Sequence, residues 1–190
     1  MATQPRVTTT NVDKGWHALV RLSHDLRDGA FAKVGILENA QKPEDDRFTM
    51  ASLGAIHEFG SKDGTIPERS FIRAGIDKGR AHLDEVSRKV ARGIYEGRFD
   101  VEQALGILGL SGASSIRKYV TQGDQVPPPN APATLKRKVA RGKWKGVGPV
   151  DQAKLVRTLI DTGRMLGSIT WAVVVGGSQK SIEPPPGAAS

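Results

Sequence analysis

TLIDTGRMLGSITWAVVV, residues 158–175, decides how this chain folds. Its first half turns: Asp161 and Thr162 offer side-chain oxygens that cap a helix start, and Gly163 adds backbone freedom. One or two helical turns through Met165 and Leu166 follow. From Ile169 the period is two, with Ile169, Trp171, Val173 and Val175 pointing one way and Thr170, Ala172 and Val174 the other. β-Branched residues and a tryptophan suit a strand covered on both faces, and Gly176-Gly177 stops it. This stretch is expected to be the central strand of a sheet.

Upstream, residues 1–12 are polar, rich in threonine and without periodicity, as in a flexible arm. From Asp13, the apolar positions Trp16, Leu19, Val20 and Leu26 fit one face of a helix ending near Gly29. FAKVGILE (31–38) reads as a short strand with Ala32, Val34 and Ile36 on one face. After the polar loop ENAQKPEDDR, Thr49 caps a second helix whose stripe is Met50, Leu53 and Ile56 and which ends at Gly60. The longest helical pattern follows PERSF, with Ile76, Leu83, Val86, Val90 and Ile94 as its stripe. Gly97 and Asp100 break it. A further helix spans 101–120, where Gly106, Gly109 and Gly112 are spaced to let another backbone come close, at about 1 kcal/mol each relative to alanine.

Residues 122–149 are the compositional outlier. Three consecutive prolines force an extended start, and Thr134 is placed to cap a short basic helix. Residues 117–145 hold eight basic side chains against one acid, a net +7 that nearly accounts for the +8 of the 190-residue chain. The tail from residue 179 is too rich in proline and small residues to fold. The elements predict one α+β domain over 13–178: a small twisted, mainly antiparallel sheet flanked by helices, with a long basic loop or arm. Two strands alone make no stable sheet. Either further strands exist, for example around Ser70–Arg73 and residues 152–159, or a partner subunit supplies an edge.

Composition sets outer bounds. A 38% hydrophobic share with 22 glycines and 11 prolines predicts a modest core plus long irregular segments. The positive balance predicts attraction to polyanions or to acidic protein surfaces, without choosing between them. With no cysteine, disulfides and thiolate metal sites are excluded. The polar N-terminus and the lack of a long apolar run predict a soluble protein with no membrane contact.

No catalytic, metal or cofactor set is expected. His57-Glu58 lacks the second histidine of a zinc-protease helix, since position 61 is Ser61. A histidine packed on its own helix end is the better reading. GILGLSGASS has neither the glycine order nor the lysine of a phosphate-binding loop, and Ser111 is not in a nucleophile elbow. Asp161-Thr162-Gly163 matches the aspartic-protease triplet, but no second copy supplies the partner carboxylate. The basic stretch around Lys136, Arg137, Lys138, Arg141, Lys143 and Lys145 can neutralise phosphates, and Trp144 can stack on a base. Contact with an acidic protein surface, or simple solvation, is preferred to nucleic-acid binding.

Two blocks carry a resemblance. SLGAIHEFGSKDGTIPERSFIRAG begins at Ser52 and runs through Arg73; PPPNAPATLKRK (127–138) precedes LIDTGRMLGSITWAVV (159–174). In this order they resemble the small virion-morphogenesis and tail-completion proteins of tailed bacteriophages, the neck or minor-tail components. Ser70 and Met165 depart from that pattern, and the loop between the blocks is long and unusually basic. The resemblance implies a non-enzymatic structural protein that forms a homo-oligomeric ring, a hexamer by the same resemblance. Its neighbours would be connector, tail-tube or tail-terminator proteins, its place the virion after assembly in the host cytoplasm, and any contact with phage DNA non-specific. It further implies structural roles for Ile56, His57, Phe59, Phe71, Leu159, Ile160 and Ile169, and subunit contacts for Arg69 and Arg73. The alternative is a nucleic-acid-binding protein acting through residues 117–145. The scaffold interpretation requires the two blocks to fold side by side; a pocket where ionisable groups converge would count against it.

Overall fold

A computed structural model describes residues 16–27, 29–37, 49–122, 126–141, 158–159 and 163–182. In chain order these form α1 (Trp16–Arg27), β1 (Phe31–Ile36), α2 (Met50–Phe59), α3 (Ile72–Tyr95) and α4 (Val101–Gln122). Then come α5 (Pro132–Arg141), a single helical turn α6 (Arg164–Gly167), β2 (Ile169–Val175) and β3 (Ser178–Ile182). The fold is α+β, with a three-stranded antiparallel sheet of order β1-β2-β3 flanked by helices.

β2 is the central strand, and both its faces are buried from Ile169 to Val174. It pairs with β1 from Ile36↔Ile169 to Phe31↔Val174. Gly176 and Gly177 both adopt positive φ (60° and 74°), the backbone of a tight two-residue hairpin, and return the chain into β3. β3 corrects the expectation that the chain stops folding at residue 179. SQKSI is polar, so composition argues against a strand, but an edge strand needs no apolar face when the hairpin fixes its pairing. Of the two further strands suggested, the one around Ser70–Arg73 does not form: Ser70 lies in a loop and Arg73 in α3. Residues 152–157 lie outside the described residues, and Thr158–Leu159 form a turn.

α4 lies on the sheet and α3 packs along α4. Its start is a reciprocal capping box: the Gln103 amide donates to Asp100 Oδ1 (2.7 Å) while the Asp100 amide donates to Gln103 Oε1 (3.2 Å). The glycine row of α4 makes room for side chains, not for a backbone. A Cβ at Gly109 would sit 3.0 Å from the Trp171 ring, and one at Gly112 3.1 Å from Val34. The close backbone approach lies elsewhere, at Gly75 of α3, where a Cβ would stand 2.7 Å from Ile116 Cα.

The core joins Phe71, Ala113, Ile116, Val120, Val126, Met165 and Ile169, so the two motif blocks and α4 share one apolar centre. In α2 the buried stripe is Met50, Gly54 and Glu58, not Met50, Leu53 and Ile56; the last two are only half-buried. Among the described residues, no helix is long and apolar enough to cross a membrane.

Replacing Gly75 by alanine forces α3 away from α4, because the obstructing atom is backbone and has no rotamer to give. The expected loss is about 1–3 kcal/mol of unfolding free energy, read from urea denaturation.

Candidate functional site

The two motif blocks meet around the end of α2. Glu58, only 5% exposed, turns its carboxylate onto the start of α3. It accepts from the Ser70 hydroxyl (2.7 Å) and from the amides of Phe71 (2.8 Å), Ile72 (2.9 Å) and Arg73 (3.2 Å). The N-cap position of α3 is Phe71, whose side chain cannot cap. Glu58 therefore supplies from another helix what a local serine or aspartate supplies elsewhere, and its charge meets the positive end of the α3 dipole. Phe71, fully buried, anchors the same junction from below.

The loop between α2 and α3 is closed by its own polar groups. Gly60 takes φ 79°, and a Cβ there would meet the Glu68 amide nitrogen at 3.0 Å. The Ser61 amide donates to the Ile66 carbonyl (2.9 Å), the Ile66 amide to the Ser61 hydroxyl (2.9 Å), and the Arg69 amide to the His57 carbonyl (2.7 Å). These bonds aim Arg69 across the domain.

Arg69 is 8% exposed, and burial lowers its basicity. Its Nε donates to the Pro128 carbonyl (2.9 Å) and one Nη to the Pro129 carbonyl (3.2 Å). Prolines suit this contact because they offer a carbonyl with no competing N–H. Arg69 thus clamps the proline run to its own chain, an internal use of a side chain expected at a subunit contact. Arg117 behaves alike: it reaches from α4 to the Ile169 carbonyl at the entry of β2. It is a support of the sheet, not part of a free basic loop.

The other expected positions separate. Ile56 and His57 are half-buried, and Ile169 is fully buried. Phe59 is 67% exposed and does not join the core, because the buried stripe of α2 passes through Glu58 instead. Arg73 gives its amide to Glu58 while its side chain is exposed. Gly163 stands at the N-cap of α6 with φ 80° and no side-chain cap bond. Asp161, Thr162, Ile160, Lys143, Trp144 and Lys145 lie outside the described residues, as does the side chain of Arg141. Lys136 and Arg137 are exposed on α5, and Lys138 is half-buried. α5 begins at Pro132, two residues before the expected cap, with the Leu135 amide bonded to the Ala131 carbonyl (3.0 Å). Proline is at home in a first helical turn.

Between α2, the Thr65–Arg69 strip, α5, the Thr158–Leu159 turn and the start of α6 lies a cavity of about 470 Å³. Met50, Leu53, Ile66, Leu159 and Met165 give it apolar walls; Arg69, Arg137, Lys138 and Arg164 bring positive charge to its lining, and His57 lines it as well. Ionisable groups do converge here, against the simplest scaffold expectation. All five are basic, and no aspartate or glutamate lines the cavity among the described residues. Burial, then the nearby Arg69 and Lys138, lower the basicity of His57. Its Nδ1 is buried without a hydrogen-bond partner, as is the hydroxyl of Thr158. Leu159 holds φ 65°, a conformation unusual for a non-glycine residue. Among the described residues no group of three His, Cys, Asp or Glu is arranged to hold a metal. Among the described residues this lining is basic and brings no acid to pair with a base.

The sequence motif flagged His57 and Phe59 but passed over Glu58 between them. Two signals pointed to it: Glu58 continues the Met50–Gly54 spacing of four, and α3 lacks a capping residue of its own. Compared with known protein families, curated proteins and solved structures, the chain has no match.

Exchanging Glu58 for glutamine keeps its shape but removes the charge and turns a donor toward donors. The expected cost is about 1–3 kcal/mol in urea unfolding, with faster hydrogen exchange at the amides of residues 71–73. A histidine with lowered basicity resists protonation in the native state while the unfolded chain takes up the proton near its ordinary value. Stability therefore falls as pH drops below about 6.5, until the lower native value is reached. The wild-type urea midpoint should fall more between about pH 7.5 and pH 5.5 than that of His57→Gln.

Proposed function

We propose that the chain is a structural component of a tailed-phage particle. It completes or joins the head–tail or tail-end assembly by forming a ring with copies of itself and seating on neighbouring connector, tail-tube or tail-terminator proteins. The observation that carries this reading is apolar surface left uncovered on a single chain. Ile107 and Leu110, three residues apart on α4, are exposed at the lip of a cleft lined by Phe99, Gly106 and Trp171. Trp171 Nε1 is buried there with no hydrogen-bond partner. Phe31 and Tyr95 are also exposed. Exposed apolar patches rimmed by polar groups mark protein contacts, and Arg98, Asp100 and Glu102 rim this one.

Ring closure asks each copy for two different complementary patches, and the cleft supplies one. The sheet adds another route: among the described residues the outer edges of β1 and β3 carry no further strand, so a neighbour can extend it. Lys136 and Arg137 on α5 can ease the passage of DNA by phosphate neutralisation without reading sequence. The rival nucleic-acid reading loses Arg117, which is engaged with Ile169, and rests on α5 and the residues beyond it.

Sedimentation velocity over a hundredfold concentration range should show the wild type forming a discrete oligomer. The Ile107→Glu/Leu110→Glu chain should remain monomeric with an unchanged unfolding midpoint. A wild type that never associates, and a variant that supports normal particles when imaged, would reject the proposal.

A further inference from the structure

A ring needs a second patch to meet the Trp171 cleft, and the chain carries one at the far end of its longest helix. In α2 the one carboxylate, Glu58, is turned inward onto the start of α3, so the exposed face of the helix, Ser52, Ala55 and Phe59, bears no charge. Phe59 is 67% exposed at the end of that face. The other exposed aromatic side chains serve less well. Lys33 lies over the Phe31 ring (5.7 Å), Trp16 already has a contact of its own, and Tyr95 sits at the same end of α3 as the cleft. Phe59 adjoins the start of α3, since Glu58 binds the amides of Phe71 and Ile72 there. The cleft lies at the other end, where the Phe99 amide donates to the Gly93 carbonyl (3.3 Å). The 24 residues of α3 hold its two ends about 36 Å apart, so no chain can fill its own cleft.

We infer that Phe59 of one copy of the chain seats in the cleft of the next, against Phe99, Ile107, Leu110 and Trp171. This contact deepens the ring-forming role proposed above and rests on it. The charges of the two patches agree with the match. At its centre two uncharged surfaces meet, which leaves no ionised group to be stripped of water. At its margin Lys62, exposed three residues beyond Phe59, meets Glu102, exposed in the first turn of α4. Neither has a hydrogen bond or ion pair among the described residues. The neighbouring charges are already held: Asp63 by Ser61 and Thr65, Arg98 by Glu96, and Asp100 by Gln103. Glu68 stays in solvent. Because the two patches differ and lie at opposite ends of α3, the contact is head-to-tail. Such a contact closes a ring, whereas a cleft that meets a cleft stops at a dimer.

The test is sedimentation velocity on full chains, with thermal unfolding to show that each variant folds. Phe59→Glu and Ile107→Glu/Leu110→Glu should each be monomeric alone. An equimolar mixture of the two should form a one-to-one dimer and nothing larger, because one chain keeps the cleft and the other keeps Phe59. Lys62→Glu should weaken association about fivefold, and adding Glu102→Lys to the same chain should restore it. A wild type that stays monomeric overturns the ring and this contact together. A Phe59→Glu chain that still forms the wild-type oligomer overturns this contact and leaves the ring standing. So does a mixture that yields no dimer, or a charge exchange that restores nothing.

Discussion

A carboxylate taken out of water is tolerated only where donors surround it, and Glu58 is surrounded by the start of a helix. That contact fixes the direction in which α3 leaves α2. α3 in turn meets α4 through the Gly75–Ile116 approach, and α4 supports the sheet through Gly109, Gly112 and Trp171. The order of dependence runs from one buried charge to the placement of the central strand. No propensity of α3 itself substitutes for it, because Phe71 at its N-cap has no oxygen to offer.

The parts of this fold that burial shapes into a period are the parts legible in the sequence. β2 shows its alternation because both faces are covered, and α3 shows its stripe because one face rests on α4. β3 is illegible for the opposite reason: Ser178 and Gln179 are exposed, so nothing apolar announces them, and only the preceding glycine pair hints at a return. The stripe of α2 misleads because a glycine and a glutamate occupy buried positions that usually go to large apolar residues. Arg69 is harder still. Its partners are main-chain carbonyls about sixty positions away, and carbonyls leave no mark on residue choice beyond the prolines that carry them.

The basic excess of the chain is not one feature. Arg69 and Arg117 are spent internally, each binding a backbone carbonyl where segments distant in sequence must be joined. Arginine suits this work, since its fork directs several donors and stays charged when partly buried. Arg137, Lys138 and Arg164 gather at a cavity, while Lys136 faces solvent. A net positive composition therefore conceals three different uses of the same charge, and only position in the fold tells them apart.

The attachment of α5 has a consequence for how this surface can vary. The root of that helix is gripped through the oxygens of Pro128 and Pro129. Lys136 and Arg137 are exposed on the same helix, so the two side chains can change while the proline mounting beneath them stays the same.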